Sequence, residues 1–446
     1  MRRAAPGTSG LDERLSALRR MRGAGILDFT GRVRHLVVVT SSSRGGSSMF
    51  AELLRSCDSL LHLRGEINPF LRLAGLGFPD SGTGSDLLLA DHAKELSQLV
   101  RAQLDQELSL DAGVPVPSIA DDQQFLLDSA FRFAIQWPDH AVDPMHWLTV
   151  GERVLNSLRR EHGWGFGTVG LTRFWTAMLA EVLGTARSGD AGYYDLPKDL
   201  LARIVPEGPP SGPPGTRLIE EPPFVLAQPW RQVTDDELRT KPLVVKSPSN
   251  AYRLGFLRAL FPHADMRVIH LTRNPGAAIN GLYDGWRYHG FHAHRMGAPL
   301  RISDYADDVP DDRMWWKFDL PPGWEPLSEA SLMQVCAFQW RASHQHAIEG
   351  VSGGVDHLRV RFEDLIRDPA TRLRTFIRVA AWLGVPFDES WRRAVSRGLE
   401  PVVATEPPRS GRWRARAAEV RAAIDADPDA RRVADELGYR QEDLWI

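Results

Sequence analysis

The stretch of this chain best suited to chemistry is Thr40-Ser-Ser-Ser-Arg44-Gly45-Gly46-Ser47-Ser48. It follows a short β-branched run and opens a segment with helical apolar spacing, Met49 to Leu54. A turn of this kind aims several backbone N–H groups at one point, where the helix dipole also favours negative charge. Gly45 and Gly46 let the backbone approach an anion closely. Ser47 and Ser48 offer hydroxyls, and Arg44 adds a fixed charge able to fork two oxygens. A plain Ser/Gly connector with a capping serine is the alternative; the arginine inside the turn argues for an anion. A Walker loop needs Gly-x4-Gly-Lys-Ser/Thr, yet no lysine precedes Ser47 and no Walker B acid is evident. Magnesium-dependent nucleoside triphosphate chemistry is therefore poorly supported.

Three further positions fit the same kind of site. Arg273 leaves the end of the apolar run Arg267–Thr272, and Pro275 after it suits a first helical turn. Ligands of open α/β sheets bind beyond such strand ends. Lys246 closes another apolar run, Leu243–Lys246, either as a site cation or as a chain reaching to solvent. Glu66, in Leu61-His-Leu-Arg-Gly-Glu66-Ile-Asn, is the candidate base, with His62 as the second choice. A partly buried carboxylate beside an anion takes up a proton readily. Pairing with Arg64, or capping a helix, is the bland role for Glu66.

These residues need a scaffold that brings strand ends together. His35–Thr40, Leu243–Lys246, Arg267–Thr272 and His357–Phe362 read as strands, each followed by a turn and helical spacing. Strand-then-helix repetition predicts a three-layer αβα domain with a central parallel sheet. The stretch 70–240 predicts a mainly helical insertion shaping the acceptor site, with helices over Asp91–Leu108, Gly151–Arg160 and Thr172–Leu183. Its Pro206–Gly215 segment is a linker or surface loop. Residues 1–30 predict a helical arm, with Leu11, Leu15, Leu18 and Met21 on one face, ahead of a domain over 31–446. The chain returns to helix from Trp413 to Leu437.

Composition narrows the classes. With 446 residues and 43% hydrophobic content a large core is available. A net charge of −3 gives no global field for nucleic acid, so an anionic ligand needs a local basic pocket. No apolar run is long enough to span a bilayer and no secretory leader is evident, so the cytoplasm is the default. Two cysteines, Cys57 and Cys336, sit in apolar surroundings and read as buried free thiols. Gly165–Gly170 matches Gly-x-Gly-x-x-Gly but follows no strand. His289, His292 and His294 lack companion ligands at metal spacing, and no metal is expected. Tyr283, Trp286, Trp315 and Trp316 read as core, lid or acceptor-stacking residues.

The run Ser-Arg44-Gly-Gly-Ser47-Ser48 resembles the 5′-phosphosulfate loop of sulfotransferases that use 3′-phosphoadenosine 5′-phosphosulfate (PAPS). It is most similar to the Arg-Ser-Gly-Ser/Thr-Ser/Thr form of carbohydrate, tyrosylprotein and many bacterial members, with Gly45 in place of the usual serine. Arg273-Asn-Pro resembles that family's 3′-phosphate motif, whose helical serine falls at Gly281, beside Asn280. The resemblance implies a P-loop-like fold, with Arg273, Asn280 and Gly281 at the 3′-phosphate. It also implies a basic loop over the nucleotide at Arg412 and Trp413. Lys246-Ser-Pro248 resembles the family's Lys-(Thr/Asp/Ser)-Pro element, so Arg44 and Lys246 would stabilise charge and Glu66 would act as base. Phe362-Glu-Asp-Leu365 with Asp368-Pro369 resembles a further family run and reads as structural. The implied activity is PAPS-dependent transfer to a hydroxyl of a small-molecule or glycan acceptor, with adenosine 3′,5′-bisphosphate as product. An NTP-dependent phosphotransferase of P-loop type, and a non-catalytic nucleotide- or partner-binding protein on the same fold, are the alternatives.

Overall fold

The apolar β-branched runs become the centre of a seven-stranded sheet in the computed structural model, which describes residues 8–162, 168–183, 219–220, 228–288, 293–305, 313–398 and 409–440. Five strands run parallel: β1 (His35–Thr40), β2 (Leu61–Leu63), β5 (Leu243–Lys246), β6 (Asp265–Thr272) and β9 (His357–Arg361). Two short strands, β3 (Ala112–Pro115) and β4 (Trp230–Gln232), join antiparallel at one edge. The order is β4-β3-β2-β5-β1-β6-β9, and β7 (Ala293–Arg295) pairs separately with β8 (Trp315–Lys317). The centre of the sheet is parallel as expected, and the two edge strands make the whole sheet mixed. The edge strands come from the 70–240 stretch, and Gly113 permits their contact: a Cβ there would lie 2.1 Å from the Arg231 carbonyl oxygen.

Alternation along the strands makes three layers. Leu36 and Val38 of β1, with Leu243, Val245 and Val268, face a core shared with helices Gln98–Asp111, Asp122–Gln136 and Leu254–Leu260. Val37 and Val39, with Val244, Ile269 and Leu271, face helices Ser47–Arg55, Pro369–Leu383 and Glu389–Arg397. Each such side chain, fully buried, contributes about 1.5–3 kcal/mol. Burial on both faces is why β1 reads as a continuous apolar run. This is the three-layer αβα arrangement expected from the sequence.

A third core joins helices Pro275–Trp286, Leu332–Val351, Ala417–Ala426 and Pro428–Glu436. Trp286 and Trp316 meet edge to face inside it, which makes both core residues. The C-terminal helix breaks at Asp427, which caps the helix started by Pro428. The Asp91–Leu108 stretch likewise divides at Ser97, whose hydroxyl accepts from the Val100 N–H at 3.3 Å. Cys57 and Cys336 are buried and unbridged. The Pro206–Gly215 segment lies outside the described residues.

The N-terminal helix Thr8–Arg22 docks on the body, burying Leu11, Leu15 and Leu18. Arg22 pairs with Glu107 at 2.8 Å and Asp128 at 3.0 Å, and Arg64 reaches Asp128 from the end of β2 at 2.5 Å. Asp111 accepts from the Arg64 N–H at 3.0 Å and pairs with Arg132, which also meets Glu220 at 2.6 Å. Burial opposes ionisation of Asp128, yet Arg64 and Arg22 hold its pKa below the ordinary carboxylate value. Its contribution is therefore present above that value and lost as pH falls through the lowered one. Asp128→Ala leaves two buried guanidiniums short of a partner; urea unfolding should show a loss of about 3–5 kcal/mol.

Candidate active site

The loop after β1 is shaped by contacts only glycine tolerates. The Gly45 N–H donates to the Ser42 carbonyl at 3.0 Å, and a Cβ on Gly45 would lie 2.7 Å from that oxygen. Arg44 and Gly46 take left-handed φ values of 59° and 90°. A Cβ on Gly46 would enter the Phe362 ring at 2.1 Å. Phe362, directly after β9, therefore forms the floor of the loop. The helix Ser47–Arg55 begins immediately beyond, so its first N–H groups and its dipole converge on the loop.

Arg273 joins this loop from the next strand end. Its Nη1 donates to the Arg44 carbonyl at 2.8 Å, and its guanidinium lies 4.8 Å from the Phe362 ring centroid. Gly281 faces the same place, with a Cβ position 3.4 Å from Arg44 Cβ. The two strand-end turns therefore meet. Desolvation by burial, with Arg44 and Arg412 nearby and Glu363 partly offsetting, lowers the Arg273 pKa to about 10. Glu363 also sets the turn, its Oε1 accepting from both the Asn274 N–H and the Asn274 amide at 2.8 Å. Asn274 in turn caps helix Pro275–Trp286 by accepting from the Ala277 N–H at 2.8 Å. Phe362 and Glu363 hold the turns in place, which fits the structural role read for Phe362-Glu-Asp-Leu365.

The C-terminal basic segment docks on that helix. Arg412 pairs with Asp284 at 2.8 Å, and Arg416 reaches both Asp284 at 2.8 Å and Asn280 Oδ1 at 2.6 Å. Asn280 also donates to Asp284 at 3.2 Å, so its amide is engaged with that carboxylate. Trp413 is 3% exposed and packs in the third core, where it anchors the segment. The Arg416 guanidinium sits 4.6 Å from the Tyr283 ring centroid. Arg416 and Asp284 were not singled out in the sequence; helical spacing of Asn280 and Asp284 was the available signal.

Lys246 and Glu66 meet at the other side of the loop. Lys246 Nζ lies 2.7 Å from Glu66 Oε1 and 3.4 Å from Ser48 Oγ. Both side chains are largely buried, at 11% and 16% exposure, so Lys246 does not simply extend to solvent. The second oxygen, Glu66 Oε2, accepts from the Asn68 amide at 3.0 Å. Arg64 serves Asp128 instead of Glu66. His62 is a poor base: desolvation, with Arg55 adding to it, holds its pKa well below the usual value. Ser47 is buried at the helix start.

Residues 37–389 match the family model described as the sulfotransferase family. The chain belongs to the sulfotransferase family. No curated protein matches this sulfotransferase chain. Two solved structures are similar to it. The sulfotransferase domain from the curacin biosynthetic pathway has a TM-score of 0.36 and 12% identity, covering 92% of this chain and 99% of its own. The sulfotransferase STF9 from Mycobacterium avium has a TM-score of 0.37 and 12% identity, covering 96% and 82%.

Residues 165–167 of the glycine-rich match, and His289 and His292, lie outside the described residues. His294 is buried on β7, 3.6 Å from Asp86. Among the described residues no three His, Cys, Asp or Glu side chains gather as a metal site, and no helix is long and apolar enough to cross a membrane. Gly46→Ala should force a Cβ into the Phe362 ring at positive φ. Loss of about 1–3 kcal/mol of stability from strain, read by urea unfolding, is the expected result.

Proposed function

We propose that the protein transfers the sulfuryl group of PAPS to a hydroxyl of a small-molecule or glycan acceptor. The observation that carries this is the position of Lys246, between Ser48 at the start of the loop helix and the carboxylate of Glu66. One cation thereby touches both the anion-binding loop and the candidate base. The residues fit a doubly phosphorylated adenosine. Arg44 and Arg412 lie close enough to Arg273 to add to the lowering of its pKa, and an arriving anion relieves that repulsion. Glycines at 45, 46 and 281 keep the approach narrow but open.

PAPS, when bound, supplies an activated sulfuryl group whose leaving oxygen gains charge as transfer proceeds. Arg44 and the first N–H groups of the loop helix bind the 5′ end. Arg273, with Arg412 behind it, takes the 3′-phosphate. Lys246 Nζ neutralises charge growing on the leaving oxygen. Glu66 Oε2 has a second lone pair beyond its bond to Asn68 and accepts the acceptor hydroxyl's proton. Holding both reactants at one sheet edge makes the displacement effectively intramolecular.

The test is calorimetric titration with adenosine 3′,5′-bisphosphate, followed by labelled PAPS offered to a panel of phenols, alcohols and glycans. Binding without turnover on any acceptor points instead to a non-catalytic binding protein; absence of binding ends the proposal. Glu66→Gln should lower kcat about 10²–10⁴-fold while leaving the bisphosphate affinity unchanged. Retained turnover removes Glu66 from the mechanism. Arg273→Ala should weaken PAPS binding by about 10–100-fold, the worth of a charged hydrogen bond. It should leave an analogue without the 3′-phosphate almost unaffected, and equal losses refute the assigned contact.

A further inference from the structure

Behind Glu66 lies a chain of polar groups, half-buried at Asn68 and fully buried beyond it, that the transfer chemistry does not itself require. Asn68, the first residue of helix Asn68–Leu73, donates its amide to Glu66 Oε2 at 3.0 Å and to Ser247 Oγ at 2.9 Å. Its Oδ1 accepts from Arg253 Nη1. Arg253 is 2% exposed and is held by Asp86 twice, Nε to the backbone carbonyl at 2.8 Å and Nη2 to Oδ1 at 3.0 Å. Asp86 is itself 3% exposed and accepts from Ser249 Oγ at 2.8 Å and the Leu320 N–H at 3.0 Å.

A side-chain amide can present either end, its oxygen or its NH2. Only the NH2 end bonds a carboxylate; the oxygen end repels it. Arg253 has no acceptor capacity, so it can face only the oxygen of Asn68. That polarises the amide, and its NH2 must point toward Glu66 and Ser247. Lys246 holds Oε1 of the same carboxylate at 2.7 Å. Both oxygens are therefore fixed, one by a cation and one by an oriented amide.

We propose that Asn68, oriented by Arg253 and Asp86, is a positioning residue that sets the rotation of the Glu66 carboxylate. The proposal rests on Glu66 as the base. Burying an ion pair costs desolvation that its attraction only partly returns. In this pair the remaining guanidinium donor serves a single residue two positions from Glu66. Lys246 and Ser247 lie on the neighbouring strand end, so the device also ties the base to the element that carries the cation.

Desolvation works against ionisation of Asp86, but His294 and Arg253 overcome it and hold its pKa well below the ordinary range. The anchor therefore stays charged at neutral pH.

The experiment uses the full chain, labelled PAPS and whichever acceptor of the panel turns over fastest. Asn68→Ala should lower kcat by about 10²-fold, the size of effect that misplacement of a reacting group produces. KM for PAPS and affinity for adenosine 3′,5′-bisphosphate should not change. Arg253→Lys keeps the charge but loses the planar fork, and should reproduce most of that loss. In a Glu66→Gln background Asn68→Ala should have no further effect. If it still lowers kcat there, Asn68 acts by another route and the proposal fails while Glu66 stands. If Glu66→Gln is fully active, the base assignment fails first. A readout without turnover completes the test: isotope-edited infrared spectra, with the Glu66 carboxylate band assigned by its loss in Glu66→Gln. That band should shift in Asn68→Ala and in Arg253→Lys, and an unmoved band overturns the positioning role.

Discussion

Arg273 and the loop ending β1 can touch only because the chain leaves no side chain between them. Gly46 rests on the Phe362 ring and Gly281 on Arg44, and the Arg273 guanidinium closes the gap by donating to the Arg44 carbonyl at 2.8 Å. This close approach gathers Arg44, Arg273 and Arg412 at the carboxyl edge of three adjacent strands, β1, β6 and β9. Like charges at such range are tolerable because carboxylates stand behind them. Glu363 lies beneath Arg273, and Asp284 holds Arg412 and Arg416.

The other half of the site depends on a strand only three residues long. β2 ends at Leu63, and the chain immediately after it is fastened by Arg64 to Asp128 and by the Arg64 N–H to Asp111. Those acids sit on helices that also receive Arg22 of the N-terminal helix. The turn bearing Glu66 is therefore fixed from behind by helices of the 70–240 stretch and from the front by Lys246. The same stretch supplies β3 and β4, which cover the outer edge of β2.

How much of this was legible in the sequence follows from how local each signal is. The strands β1, β5, β6 and β9 carry apolar runs followed by turns, and the helices their periodic faces, so most of the sheet's parallel core and its helical layers could be read directly. β2, β3 and β4 could not. They span three or four residues each, too short for periodicity, and they exist because tertiary contacts hold them. Arg44, Lys246 and Arg273 were singled out by their place at the ends of apolar runs, and Glu66 by its short apolar segment. The contacts of Asn280 with Arg416 and of Trp413 with the third core could not be read, because these partners come from distant parts of the chain or from tertiary packing. Asn68, Arg253 and Asp86 gave no sequence signal at all. A half-buried amide acquires direction only from the groups folded against it.

The two cysteines lead to a practical point. Both thiols are buried; burial raises Cys57 to about 11 and Cys336 well above its usual value. Nucleophilic attack requires the thiolate, so neither reacts readily with alkylating reagents or peroxide near neutral pH. The native chain therefore behaves as though it were cysteine-free. A single cysteine placed on its surface would be the one reactive handle, suited to attaching a spectroscopic probe without first replacing the natural pair.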